Sequence, residues 1–451
     1  MNTRSFHPFL LAVLLAGLGL MLASRAPAQI CTSLHNFNGS TDGEEPLAGL
    51  IISGNTLYGT TWLGGALGVG TVFSINVNGS GFANLNVLFN GTNSYQPETR
   101  LVLVGNTLYG TTDYGGIYGG GFPSGAVFSI DTDGMNFVNR YSFIPNSSDG
   151  EESYGGLVFS GNTLYGTTHA QGAFDSGTVF SISTDGSEYI NIYTFSAKSL
   201  TNSDGANPNG GLVLSGNTLY GTTTAGGTNN FGTVFRVNTD GSSFTNLHTF
   251  GSPGDGRNPL GSLVLSGNTL YGTAFNGTSS GFGAVFAVNT DGSGFTNLHV
   301  FDGVNGAYPA GSLTLSGKTL YGSASGGFEG TVFSINTDGS GFTNIYFFNN
   351  STKKTGNDPN GGLVLSGNTL YGTTTAGGTN GYGVVFSLTV PITLFYQNIS
   401  SAVVLTWNDP SFVLQAAPAV TGTYTNIPGA TSPYTNTITG PQQFFRLLVS
   451  Q

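Results

Sequence analysis

Ser266-Gly267-Asn268-Thr269-Leu270-Tyr271-Gly272-Thr273 decides the fold, because the same string keeps returning. With small changes it occurs seven times. Its tyrosine falls at Tyr58, Tyr109, Tyr165, Tyr220, Tyr271, Tyr321 and Tyr371, at spacings of 51, 56, 55, 51, 50 and 50 residues. A fixed period of this length marks a tandem array of supersecondary units. A second string, Gly-Thr-Val-Phe and its variants, ends at Phe73, Phe128, Phe180, Phe235, Phe286, Phe333 and Phe386. A third, of the form Phe-Thr-Asn-Leu-His-x-Phe, ends at Phe37, Phe89, Phe143, Phe195, Phe250, Phe301 and Phe348.

Each unit holds four short runs of β-formers separated by glycine- or Asx-rich turns. In the fifth unit they are Ser262–Leu265, Thr269–Thr273, Ala284–Val288 and Phe295–Phe301. Alternation, aromatic content and turn chemistry all read as strands and hairpins, and no run after residue 28 has helical periodicity. Four strands per unit of about 50 residues is a β-propeller blade. The chain after residue 28 opens with a lone fourth-strand segment, Thr32–Phe37, and the seventh unit stops after its third, Val384–Leu388. The reading is therefore all-β: a seven-bladed propeller over residues 29–390, closed by its N-terminal strand, which leaves no open sheet edge at the seam.

Connection lengths sort the two ends of the blades. First-strand leucine to second-strand tyrosine is eight residues in every unit, from Leu50–Tyr58 to Leu363–Tyr371. Third-strand to fourth-strand phenylalanine is 15 or 16. The second-to-third connection varies from 12 to 19 residues and the fourth-to-first from 12 to 17. In a meander these two variable connections share one end of the sheet. That end is the expected functional face, since function sits on variable loops held by a rigid scaffold.

Composition narrows the rest. Only 7% of residues are charged, while 73 are glycine, 33 phenylalanine and 20 tyrosine, which excludes a disordered chain. A formal charge of −11 argues against nucleic acid, which is gripped by clustered Lys and Arg. One cysteine excludes internal disulfides and zinc-finger spacings. Arg4, the apolar run Phe9 to Leu22 and Ala26-Pro27-Ala28 read as a signal peptide over 1–28. Cleavage removes Arg4 and Arg25 and takes the charge to −13. The expected destination is secreted or cell-surface, with no membrane span in the mature chain.

Gly-x-Thr-Val-Phe and Ser-Gly-Asn-Thr-Leu-Tyr-Gly-Thr, over roughly residues 32–388, resemble the repeats of the GloVer (Gloeo-Verruco) family of secreted bacterial proteins. The resemblance implies a surface or secreted propeller-like protein and brings no activity or catalytic residue. Residues 391–451 break the period. Short runs at Val403–Trp407, Phe412–Gln415, Tyr424–Ile427 and Phe444–Leu448 predict a small C-terminal β module, similar to those of related secreted proteins and loosely to a fibronectin type III sandwich.

Several residues invite a chemical reading. The turns Asp131–Gly134, Asn238–Gly241, Asn289–Gly292 and Asn336–Gly339 have too few oxygens for calcium and read as hairpin turns. They also resemble the structural Asp-box turns of sialidase-type propellers. His35, His248 and His299 share a repeat position with Tyr141, Tyr193 and Tyr346, an interchange that suits packing. The repeated Leu-Tyr-Gly tyrosine and Thr-Val-Phe phenylalanine read as wedges between blades. The position after Tyr-Gly-Thr-Thr behaves differently. It holds Trp62, Asp113, His169, Thr224, Phe275, Ser325 and Thr375, and Trp62, Asp113, His169 and Phe275 are the candidate ligand-binding residues. Acid clusters Asp42/Glu44/Glu45 and Asp149/Glu151/Glu152 lie on the same face. No catalytic residue, metal site or cofactor is assigned. The expected function is a monomeric, non-enzymatic binding propeller whose partner is glycan or extracellular protein. The alternatives are a polysaccharide lyase or hydrolase using the acidic loops, and a purely structural surface protein.

Overall fold

Each run of β-formers becomes a strand in the computed structural model, and no helix occurs among the described residues. These are 30–87, 96–117, 124–196, 203–252, 254–327, 329–348 and 355–390, with 395–399, 402–406, 412–419, 421–431, 434–437 and 443–449 in the tail. The expected signal peptide, 1–28, lies outside them, as do Phe89 and Trp407.

Seven antiparallel sheets repeat one plan among the described residues. Sheet one runs Ile51–Ser53, Thr56–Thr61, Thr71–Asn76 and Ala83–Val87. Sheets two to six follow, with first strands opening at Val102, Val158, Val213, Val264 and Thr314, and sheet four carries an extra edge strand, Ala206–Pro208. Sheet seven draws on both ends of the repeat array. Val364–Ser366, Thr369–Thr374 and Val384–Thr389 come from the last repeat, and Cys31–Asn36 is the outer strand. It pairs antiparallel from Cys31↔Leu388 to Asn36↔Val384, with a bulge between Ser33 and His35. The other six outer strands bulge at the matching place, for example at Val234/Phe235 in sheet four.

Side-chain packing explains why the strings are so constant. Gly221 pairs with Phe235 across the strands. A Cβ on Gly221 would lie 2.6 Å from Phe235 Cζ and 2.9 Å from Leu212 Cδ2, so leucine, glycine and phenylalanine form one interlocking set. The tyrosine turns the other way. Tyr220 packs against Leu263, Leu270 and Phe286 of the next sheet. Equivalent clusters join each sheet to its successor, and one of them sets Phe37, Val364, Tyr371 and Val385 of sheet seven against Leu50, Leu57, Phe73 and Ile75 of sheet one.

Phenylalanines run between sheets as an edge-to-face ladder. Centroid distances are 5.5 Å for Phe143–Phe180, 5.2 Å for Phe195–Phe235 and 5.3 Å for Phe37–Phe73. All of these rings are fully buried, and each contributes roughly 1.5–3 kcal/mol. Third strands such as Thr71–Asn76 are covered on both faces, which accounts for their near-continuous apolar runs and the low charge content.

The tail forms two three-stranded sheets. One holds Phe395–Ile399, Ala402–Thr406 and Tyr434–Thr437, and the other Thr425–Asn426, Phe412–Ala417 and Phe444–Val449. Val403, Leu405, Leu414 and Phe445 pack as one cluster. Two of these strands, Phe395–Ile399 and Tyr434–Thr437, escape the sequence reading because polar residues dilute their alternation.

Candidate functional site

The exit of the second strand and the fourth-to-first loop meet at one end of each sheet. Isolated bridges record the meeting: Glu44↔Leu63, Glu151↔Ala170, Arg257↔Asn276, Ala307↔Gly326 and Asn357↔Ala376. In sheet four the same contact lengthens into Ala206–Pro208 against Thr223 and Ala225. The two length-variable connections therefore adjoin.

Within these loops, Glu45, Gln96, Glu152, Asn207, Asn258, Tyr308 and Asp358 occupy one repeat position and one backbone shape, left-handed with φ between +54° and +62°. Proline follows in six of the seven, and Ser153 in the third. Asn and Asp accept such a φ readily, whereas Glu, Gln and Tyr there cost roughly 1–2 kcal/mol. Backbone bonds hold the shape. The Glu45 N–H donates to the Tyr382 carbonyl at 3.2 Å, from sheet one's loop to sheet seven's. Gln96 reaches Val69, Asn207 Ser176, Asn258 Phe231, Tyr308 Phe282 and Asp358 Glu329, at 2.8–3.0 Å. Six of the seven loops are thereby stapled to the preceding sheet.

The carbonyls of the same residues accept from the candidate positions. Trp62 N–H donates to Glu45 at 3.1 Å, Asp113 to Gln96 at 3.1 Å, His169 to Glu152 at 2.8 Å and Phe275 to Asn258 at 3.2 Å. Thr224 uses its hydroxyl on Asn207 at 2.9 Å. Two side chains that differ from unit to unit thus ride on a backbone frame that does not. The loop position is one that sequence reasoning missed. Its signal was available: a residue of changing type, before proline in six units, always five residues ahead of the first-strand leucine.

Trp62, Asp113 and His169 belong to consecutive sheets, one to three. Phe275 stands apart in sheet five, its ring 5.3 Å from that of Tyr308. Around Asp113 the loops bring carboxyl groups together. Asp113 is 3% exposed, and its Oδ1 has no hydrogen-bond partner among the described residues. Tyr154 Oη donates to Glu152 Oε2 at 3.2 Å, also bonds to Asp113, and sets its ring 4.9 Å from the His169 imidazole. Burial first, then the Asp113, Glu152 and Glu98 charges, drive the Tyr154 phenol far above its ordinary value. Burial, then Glu98 and Glu152, pushes Asp113 up to about 8. Burial, then Glu152 and Glu45, pushes Glu98 up to about 7. Sequence reasoning missed Glu98 and Tyr154, which share a position filled elsewhere by Leu47, Asn209, Leu260, Ala310 and Asn360.

The acid clusters divide by role. Asp42 accepts from His35 Nε2 at 2.8 Å and from the Asn38 N–H at 2.7 Å, and Asp149 accepts from Tyr141 Oη at 2.5 Å. Glu151 accepts from the Asn146 N–H at 2.8 Å. These carboxylates tie loops, while Glu45 and Glu152 occupy the stapling position. The shared His/Tyr position is an inter-sheet stack: His35 on Phe82, Tyr141 on Tyr189, Tyr193 on Phe244, His248 on Phe295 and His299 on Phe342, with centroids 3.4–4.1 Å apart. In the Asx turns, Asp240, Asp291 and Asp338 each accept the N–H and hydroxyl of the serine two residues on.

A cavity of about 650 Å³ opens along the first strands of sheets five to seven, walled by Val264, Leu313, Thr314, Leu363 and Val364. Arg100 reaches it from sheet two, at a position that is glycine or serine in the six other units. No group of three or more His, Cys, Asp or Glu among the described residues is placed to hold a metal ion. No helix among them is long and apolar enough to cross a membrane.

Repeated four-stranded sheets that pack face to face define a β-propeller-like tandem-repeat protein. The chain belongs to the Gloeobacter/Verrucomicrobia repeat family, which matches residues 22–200 and 193–386. No curated protein matches it. Similar solved structures include an oligogalacturonate lyase from Vibrio parahaemolyticus, at 11% identity over 80% of this chain and 91% of that one, TM-score 0.48. A putative 6-phosphogluconolactonase from Bacteroides uniformis has 17% identity over 67% and 84%, TM-score 0.44. TolB from Acinetobacter baumannii has 14% over 60% and 58%, TM-score 0.39. Likeness at this level says nothing about activity.

Proposed function

We propose that the seven sheets are the blades of one propeller over residues 29–390, closed by Cys31–Asn36 and followed by a separate β-sandwich-like module. In this reading residues 1–28 export the chain, which acts outside the cell as a monomeric, non-enzymatic binding protein. Its ligand is a glycan, held at the variable-loop face. One observation carries the proposal: seven equivalent backbone frames present side chains as unlike as Trp62, Asp113, His169 and Phe275. A merely structural position keeps one residue type, as the neighbouring leucine, glycine and phenylalanine do. Aromatic faces beside hydrogen-bonding groups suit sugars, whose rings offer apolar C–H surfaces and hydroxyls together.

A glycan array probed with the full-length chain tests this. Binding that is lost in Trp62→Ala and His169→Ala supports it. An array without signal, together with capture of an extracellular protein, contradicts it. A second reading has its own support: Asp113, protonated near neutrality beside Glu152, has the makings of an acid–base pair for polysaccharide cleavage. Turnover of a bound polysaccharide that disappears in Asp113→Asn would replace the binding reading with that one.

A further inference from the structure

We infer that the carboxyl groups around Tyr154 receive a positively charged amine, so that the ligand is an amine-bearing glycan. This rests on the glycan-binding reading above and names the charge of its ligand.

Three loops converge. Glu98 and Asp113 come from the second repeat, Glu152 and Tyr154 from the third, and Glu45 acts on Glu98 from the first. Asp113 is almost wholly buried, and one of its oxygens meets no donor among the described residues. Among the described residues no lysine or arginine forms an ion pair with these acids. The ion pairs among the described residues are His35–Asp42 and His248–Asp255, both elsewhere. Arg100, the nearest cation along the chain, lies against Val264, Leu313 and Val364 in the cavity and does not act on Glu98. A buried acid without a counter-ion must hold a proton or take up a cation. Here the carboxyls titrate near neutrality, so an entering cation displaces protons easily.

A bare metal ion is the poorer occupant, because among the described residues no three ligating groups are placed to hold one and a hard cation wants six to eight oxygens. An organic ammonium needs fewer contacts and gains from aromatic faces. The Tyr154 ring adjoins the carboxyls, and Trp62 occupies in sheet one the position that Asp113 holds in sheet two.

The test titrates the full-length chain calorimetrically with three glucosamine oligomers: free amine, N-acetylated and N-trimethylated. Oligolysine is the fourth probe. The trimethylated oligomer keeps its charge at every pH and so isolates the carboxyl titration. Its affinity should rise about tenfold from pH 6 to pH 8.5, and Glu98→Gln/Asp113→Asn should flatten that rise. Melting curves establish that the double variant is folded. Equal affinity for the acetylated oligomer, or a pH-independent response, overturns the amine and leaves a neutral-glycan reading intact. Binding of oligolysine alone overturns the glycan, and silence toward every oligomer and every arrayed glycan overturns the binding reading itself.

Discussion

The imidazole of His35 lies flat on the ring of Phe82, centroids 3.7 Å apart and planes 4° from parallel. His35 sits on the outer strand of sheet seven, and Phe82 in the outer hairpin of sheet one. The stack is the counterpart of His248 on Phe295, where both partners come from consecutive repeats. The seam thus uses the same contact as an ordinary junction. Replacing His35 with alanine removes the stack and leaves Asp42 without its side-chain donor, and should cost about 1–3 kcal/mol. Thermal or urea unfolding checks this, and an unchanged melting temperature would count against a stabilising seam.

Cys31 reports on the same junction. It pairs with Leu388 and packs beside Tyr346. Burial outweighs the hydrogen bond from Tyr346 and pushes the thiol up to about 12. Since the thiolate is the nucleophile, alkylation by iodoacetamide at pH 8 should be slower by about 100-fold or more than in the urea-unfolded chain. Equal rates would mean that the strand is not seated.

Glycine 221 should tolerate no side chain. Gly221→Ala places a methyl group 2.6 Å from Phe235 Cζ, a backbone-fixed clash with a fully buried ring, and should destabilise by about 1–3 kcal/mol. Gly216→Asn is the control, in a turn with φ +57° and nothing within 4 Å, where asparagine accepts the conformation. Unfolding curves for the two variants should separate clearly.

Histidine stacks make the structure sensitive to acid. Burial holds His248 below its ordinary value, despite the pull of Asp255. The folded chain therefore binds this proton less well than the unfolded one, and stability falls as pH drops below about 6.5. His248→Tyr copies the Tyr193 arrangement, in which Oη donates to Asp204 at 2.7 Å. The variant should match the parent at pH 7.5 and lose less stability at pH 5.

The carboxyl cluster works in the opposite sense. Asp113 and Glu98 hold protons more tightly when folded, so their contribution is fully present near pH 4 and lost as pH rises to about 8. Asp113→Asn should raise stability at pH 8.5 by about 1–3 kcal/mol and change little at pH 4.5. A uniform loss at both values would make Asp113 a structural acid.

Most of the repeat architecture was legible because its causes are local and occur seven times. The eight-residue spacing from Leu212 to Tyr220 could only be a tight hairpin, and the orphan segment at Thr32–Phe37 had a vacant edge at Val384–Leu388 to fill. Trp62, Asp113 and His169 stood out by changing type where their neighbours did not. Glu98 and Tyr154 were not legible, since their proximity to Asp113 depends on how successive loops curve over the sheet ends. Nor were the distinct roles of Glu151 and Glu152. Adjacent in sequence, they differ because Glu152 takes the left-handed φ and its carbonyl accepts from His169, while the Glu151 carboxylate accepts the Asn146 N–H. In the tail, Tyr434–Thr437 is recognisable only through its pairing with Ala402–Leu405.

Closure of the ring is tested most directly by moving its last strand. Residues 30–37 are deleted from the front of the chain and reinserted after Thr389, joined by a hairpin copied from Asn289–Phe295. If Cys31–Asn36 completes sheet seven, deletion alone gives an aggregating or much less stable protein. The transplanted chain should be monomeric and melt within a few degrees of the parent. A transplant as unstable as the deletion, or a deletion as stable and monomeric as the parent, contradicts the closed ring.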